Sequence, residues 1–148
     1  MIEEKMEKII KILKKRGWTI GVMESCTGGA VADCITNIPG ASGVFECGLV
    51  TYCNEAKIKA GVDKEMIEKF GVVSKEVAKE MATKIKGDVT VGVTGNLPGE
   101  VFVAVRIENQ VESKKFKVES KNGNKIEARI EMKSSMVEKV VEIIIENI

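Results

Sequence analysis

Ser25, Tyr52 and Lys57 are the side chains whose types and spacing best fit nucleophilic chemistry in this sequence. Ser25 lies in the string E-S-C-T-G-G (24–29), directly after a short apolar run. Tyr52 and Lys57 follow a second apolar run, and Thr94-Gly95 follows a third. In an open α/β sheet the carboxyl ends of strands gather at one rim, and ligands bind there. The chain has no histidine, which excludes Ser-His-Asp and Cys-His schemes. A hydroxyl nucleophile must then be activated by lysine, tyrosine, a carboxylate or backbone charge. A lysine in that role must be neutral, its proton affinity lowered by desolvation or neighbouring cations. Backbone N–H groups around Gly28-Gly29 or Gly95 would supply dipoles for a tetrahedral oxyanion.

Residue chemistry alone leaves a plainer reading open beside this one. Ser25 and Thr27 are good helix caps. Tyr52 fits a strand-end aromatic with its hydroxyl in water, and Lys57 fits a surface lysine. Arg129 either faces solvent or, if its helix lies over the rim, offers a fork of donors to a phosphate or carboxylate.

The positioning elements follow from periodicity. Residues 2–16 carry Ile2, Met6, Ile9, Ile10 and Leu13 on one helical face, closed by Arg16-Gly17. Residues 18–23 read as a strand, 28–36 as a helix and 37–43 as a loop. Residues 44–52 form a nearly continuous apolar run, expected as a buried strand, with a short helix after it ending at Gly61. Asp63 and Ser74 are expected caps of the next two helices, the second burying Val77, Ala78, Met81, Ala82 and Ile85. Residues 89–93 read as a strand, 94–99 as a loop, and 101–107 with 111–118 as a hairpin, which makes the sheet mixed. A final helix over 125–145 is expected to turn Ile126, Ile130, Val137, Val140, Val141 and Ile144 inward. The whole is an α/β layered arrangement, expected as one domain over residues 1–148.

Composition bounds the partners. The chain is 44% hydrophobic and 30% charged, and its 23 basic and 22 acidic residues give a net charge of +1. That balance offers no basic footprint for nucleic acid. Neither a bilayer-spanning run nor a secretory leader is apparent, so the expected location is cytoplasmic. Cys26, Cys34, Cys47 and Cys53 form no C-x-x-C pair. This argues against a structural zinc site and for buried or half-buried free thiols in a reducing compartment.

These residues also carry a family signature. E-S-C-T-G-G (24–29), P-G-A-S (39–42), G-L-V-T-Y-C-N-E-A-K (48–57), Gly61-Val62, and G-V-V-S (71–74) followed by E-V-A (76–78) resemble the C-terminal domain of the competence/damage-inducible CinA proteins. The same domain occurs alone as nicotinamide-nucleotide amidase. The resemblance implies a three-layer α/β/α sandwich with a mixed central sheet. It implies hydrolysis of the carboxamide of nicotinamide mononucleotide to nicotinate mononucleotide and ammonia, within pyridine-nucleotide recycling, with neither cofactor nor metal. By resemblance the catalytic serine is Ser25, with Tyr52 and Lys57 relaying its proton. Thr27, Gly28, Gly29, Thr94 and Gly95 would line the pocket, with Arg129 on the substrate phosphate. Family members often self-associate, so a homo-oligomer is expected.

Two strings depart from the family pattern. Thr94-Gly95 is followed only by N-L-P-G (96–99), about ten residues shorter than the usual glycine- and proline-rich loop, and the string before the last helix is altered to Gly123-Asn124-Lys125. A loop is the part of a fold most easily shortened, but substrate placement is less forgiving. The alternatives are therefore a catalytically weak or inactive member that binds a nucleotide or a protein partner, or an amidase for a less phosphorylated substrate.

Overall fold

The computed structural model describes residues 1–148. Its centre is a sheet in the order β2-β1-β3-β4-β5, formed by β1 (Ile20–Glu24), β2 (Phe45–Val50), β3 (Val89–Gly95), β4 (Gly99–Ile107) and β5 (Gln110–Val118). β1 runs parallel to β2 and β3, whereas β4 is antiparallel to β3 and to β5. The sheet is thus mixed, with its parallel half carrying the motifs. Helices α1 (Ile2–Arg16), α2 (Ala30–Thr36) and α6 (Lys125–Asn147) cover one face, around a core that includes Met6, Leu13, Val31, Val91, Met136 and Val140. Between β2 and β3 come α3 (Asn54–Lys59), α4 (Lys64–Phe70) and α5 (Lys75–Lys84). On the other face Met23 packs with Ile67, Val77 and Met81 of these helices. The result is the expected three-layer α/β/α sandwich. No helix is long and apolar enough to cross a membrane.

Local sequence sets the ends of these elements. Gly17, at φ 67°, ends α1 by donating its N–H to Lys14 O. Asp63 caps α4 by accepting from Glu65 N at 2.8 Å, and Ser74 caps α5 by accepting from Val77 N at 3.2 Å, both as the sequence predicts. β3 runs on through Gly95, so the expected loop over 94–99 shrinks to residues 96–98.

Two expectations about burial are corrected. β2 is an edge strand, not a buried one: it pairs only with β1, leaving Leu49 36% and Val50 50% exposed. On α6, Ile126 and Ile130 are exposed at 73% and 57%. The buried stripe there is Met132, Met136, Val137, Val140, Val141, Ile143 and Ile144. Counting back from Met132 and Met136 by helical steps of three and seven reaches Arg129. At its first turns, therefore, α6 turns an arginine toward the strand ends, with both isoleucines on one side of it facing solvent.

Glycine sets how close α5 can lie. A Cβ on Gly92 would sit 2.2 Å from Ala78 O and 2.8 Å from Ala82 N. Here α5 rests its backbone almost on β3. Gly92→Ala is expected to destabilise the fold by about 3 kcal/mol, read as a fall in the urea midpoint.

Candidate active site

β1 delivers Glu24 and Ser25 to the rim, and Glu24 sets how the next helix begins. Its buried carboxylate accepts from Val31 N at 2.9 Å and Ala32 N at 3.0 Å. That supplies the N-terminal cap of α2, which neither Ser25 nor Thr27 provides. The capping reading of Ser25 is thereby replaced: its hydroxyl oxygen accepts from Lys57 Nζ at 2.9 Å. Thr27 is fully buried and its Oγ1 has no partner. Gly28 and Gly29 take φ values of 60° and 101°, which lets the chain reverse within the turn.

Lys57 is not a surface lysine. It is 1% exposed and is the largest fully buried side chain of the protein. Besides Ser25 Oγ, its amine donates to Thr51 O at 2.7 Å. Thr51 is held in turn, its N–H donating to Glu24 O at 2.8 Å and its Oγ1 to the same oxygen at 3.4 Å. No carboxylate pairs with the amine, and burial pushes its pKa below the ordinary lysine value. The nearby Cys26 thiol is pushed up to about 11, chiefly by burial. It is therefore a thiol at neutral pH and a poor nucleophile.

These groups open onto a cavity of about 330 Å³. Of the predicted site residues, Ser25, Tyr52, Lys57, Thr94, Gly95 and Arg129 line it, whereas Thr27 is buried beside it and Gly28 and Gly29 do not reach its lining. Thr94 Oγ1 donates to Val72 O at 2.9 Å, tying β3 to the segment that supplies Val72 and Val73 to the wall. The short turn contributes Asn96, Leu97 and Pro98, and its Leu97 carbonyl accepts from Arg129 Nη1. Arg129 Nη2 donates to the Tyr52 hydroxyl at 3.3 Å, so the tyrosine oxygen faces the guanidinium rather than the Ser25–Lys57 pair. Sequence reasoning missed Asn54 and Asn96 as lining residues, although Asn54 stands inside the string that carries the resemblance. A larger hollow, about 410 Å³ by the β4–β5 turn, contains neither a serine nor a lysine.

Backbone donors also differ from expectation. Gly28 N–H is taken up by Ser25 O. The four cysteines are free as expected, but Cys53 is exposed rather than buried or half-buried, because it sits one residue outside α3 beyond the edge strand.

The fold and the site together define an α/β/α sandwich with a histidine-free serine–lysine pair at the carboxyl ends of its parallel strands. The chain belongs to the CinA C-terminal domain family, whose model matches residues 2–144. It is 54% identical over 77 residues to a putative competence-damage inducible protein of Caldanaerobacter subterraneus subsp. tengcongensis, covering 51% of this chain and 19% of that protein. It is 53% identical over 78 residues to a CinA-like protein of Kosmotoga olearia, covering 51% and 19%. The matched stretch thus spans about a fifth of these curated relatives. The crystal structure of competence/damage inducible protein CihA from Agrobacterium tumefaciens is similar over 98% of this chain and 94% of that one, with 31% identity and a TM-score of 0.85. The competence damage-inducible protein A of Klebsiella pneumoniae subsp. pneumoniae MGH 78578 shares the fold at a TM-score of 0.88 and 23% identity, over 99% of this chain and 96% of that one.

A lysine that is neutral more readily when folded than when unfolded makes stability depend on pH. Between its lowered folded pKa and the ordinary value near 10.4, the unfolded chain binds more protons, so stability rises with pH. As pH rises toward the ordinary lysine value, the urea midpoint of the native chain should gain on that of Lys57→Met.

Proposed function

We propose that the domain is an amidase that hydrolyses the carboxamide of nicotinamide mononucleotide. One observation carries this reading: the Lys57 amine lies 2.9 Å from Ser25 Oγ, buried and without a carboxylate partner, so that it gives up its proton more readily than an ordinary lysine. Neutral Lys57 takes the hydroxyl proton as Ser25 Oγ bonds to the carboxamide carbon. The negative charge that develops on the carbonyl oxygen needs donors, and the backbone N–H of Cys26, next to the nucleophile, is the one this reading assigns. Protonated Lys57 then gives its proton to the amide nitrogen, the C–N bond breaks, and ammonia leaves. Water attacks the resulting ester, its proton passing through Lys57 to Ser25 Oγ as the carboxylate product departs. Arg129, a cation with donors to spare, suits the nucleotide phosphate.

A second reading has its own observation. The β3–β4 connection is only residues 96–98, and its Leu97 carbonyl already engages Arg129. On this reading the site binds a nucleotide, or a partner protein, without turning it over. Nucleotide-dependent thermal stabilisation with no ammonia release at high protein concentration would favour it.

Ammonia release from nicotinamide mononucleotide, with the riboside assayed in parallel, tests the first reading. Ser25→Ala should abolish release. Lys57→Arg, which stays charged, should lower kcat by about 100-fold or more. For the native chain kcat/KM should rise with pH along a limb whose pKa lies below that of ordinary lysine. Full activity in Ser25→Ala would overturn the reading.

A further inference from the structure

We infer that Tyr52 is a binding residue, an aromatic platform at the cavity mouth coupled to Arg129, and not a carrier of the Ser25 proton. This rests on the amidase reading, and it assigns Tyr52 a different part from the relay role that resemblance gives it.

The placement of the two ends of the side chain carries the argument. Tyr52 is 62% exposed, although the residue before it is buried and turns its carbonyl to Lys57. The chain alternates as it leaves β2, so Thr51 enters the interior and Tyr52 swings out to the mouth. The Tyr52 hydroxyl has one hydrogen bond, from Arg129 Nη2. The hydrogen bonds of the Lys57 amine go to Ser25 Oγ and Thr51 O. A proton carrier must lie within hydrogen-bond reach of the group it serves. Lys57 meets that condition for Ser25, and Tyr52 meets it for neither Ser25 nor Lys57. The proton path is complete without the phenol.

The remaining features of Tyr52 are those of a binding surface. An exposed ring lining a cavity presents a flat apolar face to a planar ligand, with a polar tip that stays wet. Its tip steadies one arm of the Arg129 guanidinium while the Leu97 carbonyl steadies the other. A guanidinium held at both ends is pre-oriented, and its remaining N–H groups are available to an anion. Lys57 and Arg129 are the only ionisable lysine, arginine or carboxylate side chains lining the cavity, so no acidic group there competes for the guanidinium. Ring and guanidinium together make a clamp with distinct jobs: the ring takes the planar part of the substrate and Arg129 its acid.

Tyr52→Phe, Tyr52→Trp and Tyr52→Ala separate the roles. Phe and Trp keep the platform and lose the phenol, and should retain kcat within about 3-fold and the acidic limb of the pH profile. Ala loses both and should raise KM by about 10-fold with kcat little changed. A fall in kcat of about 100-fold in Tyr52→Phe, or loss of a limb of its pH profile, overturns the inference. The same variants in a Ser25→Ala background, titrated with nicotinamide mononucleotide by calorimetry, read binding without turnover. There the Ala variant should weaken Kd by about 10-fold and the Phe variant by only a few-fold; equal affinities in all of them overturn the platform. Unchanged ammonia release in Ser25→Ala sinks the amidase reading and leaves this binding comparison standing.

Discussion

A buried amine without a counter-charge is the constraint to which the rest of the structure answers. Lys57 is 1% exposed, and a charged ammonium so enclosed is costly unless several acceptors surround it. The protein offers a serine oxygen and one backbone carbonyl. These hold the amine in place without the strong stabilisation a carboxylate would give its charged form. The same scarcity that makes Lys57 a burden on the fold lowers its proton affinity below that of an ordinary lysine.

Keeping those acceptors in place occupies the parallel half of the sheet. Thr51 O is available to Lys57 because Thr51 is pinned to Glu24 through its N–H and its hydroxyl. Glu24 is in turn fixed by the first N–H groups of α2. Ser25, Lys57 and the start of α2 are therefore one hydrogen-bonded unit joining the ends of β1 and β2 to α2 and α3. The antiparallel half supplies the other wall: Thr94 at the end of β3, and a three-residue turn whose Leu97 carbonyl meets Arg129. A Cβ at Gly95 would lie 2.5 Å from Glu100 O, so this wall can close only around a glycine.

Much of this was legible in the order of residue types, and what was not has identifiable causes. Strand and helix existence followed from apolar periodicity, and the caps at Asp63 and Ser74 from side-chain chemistry. The grouping of Ser25, Lys57 and Thr94 followed from a rule about strand ends, and the place of Arg129 beside them from the family resemblance. What periodicity could not supply was position within the sheet. Residues 44–52 are apolar enough for a central strand, yet β2 lies at the edge. Nor could it supply the rotation of a long helix: α6 has apolar residues around much of its girth, so Ile126 and Ile130 read as buried, whereas its packing turns Arg129 to the cavity mouth. Glu24 was hidden for another reason, since its partners lie seven and eight residues on, beyond the usual reach of a cap.

The packing of α1 against α6 joins residues near opposite ends of the described chain. Met6 and Leu13 share their core with Met136 and Val140, so an amino-terminal portion emerging during synthesis cannot shield its own apolar face. Closing contacts of such long sequence separation is slow, and it leaves that face open until α6 has been made. The strand leading to Ser25 is thus translated well before the helix that both seals the core and brings the guanidinium to the cavity, so the cavity gains its full lining only once α6 has docked.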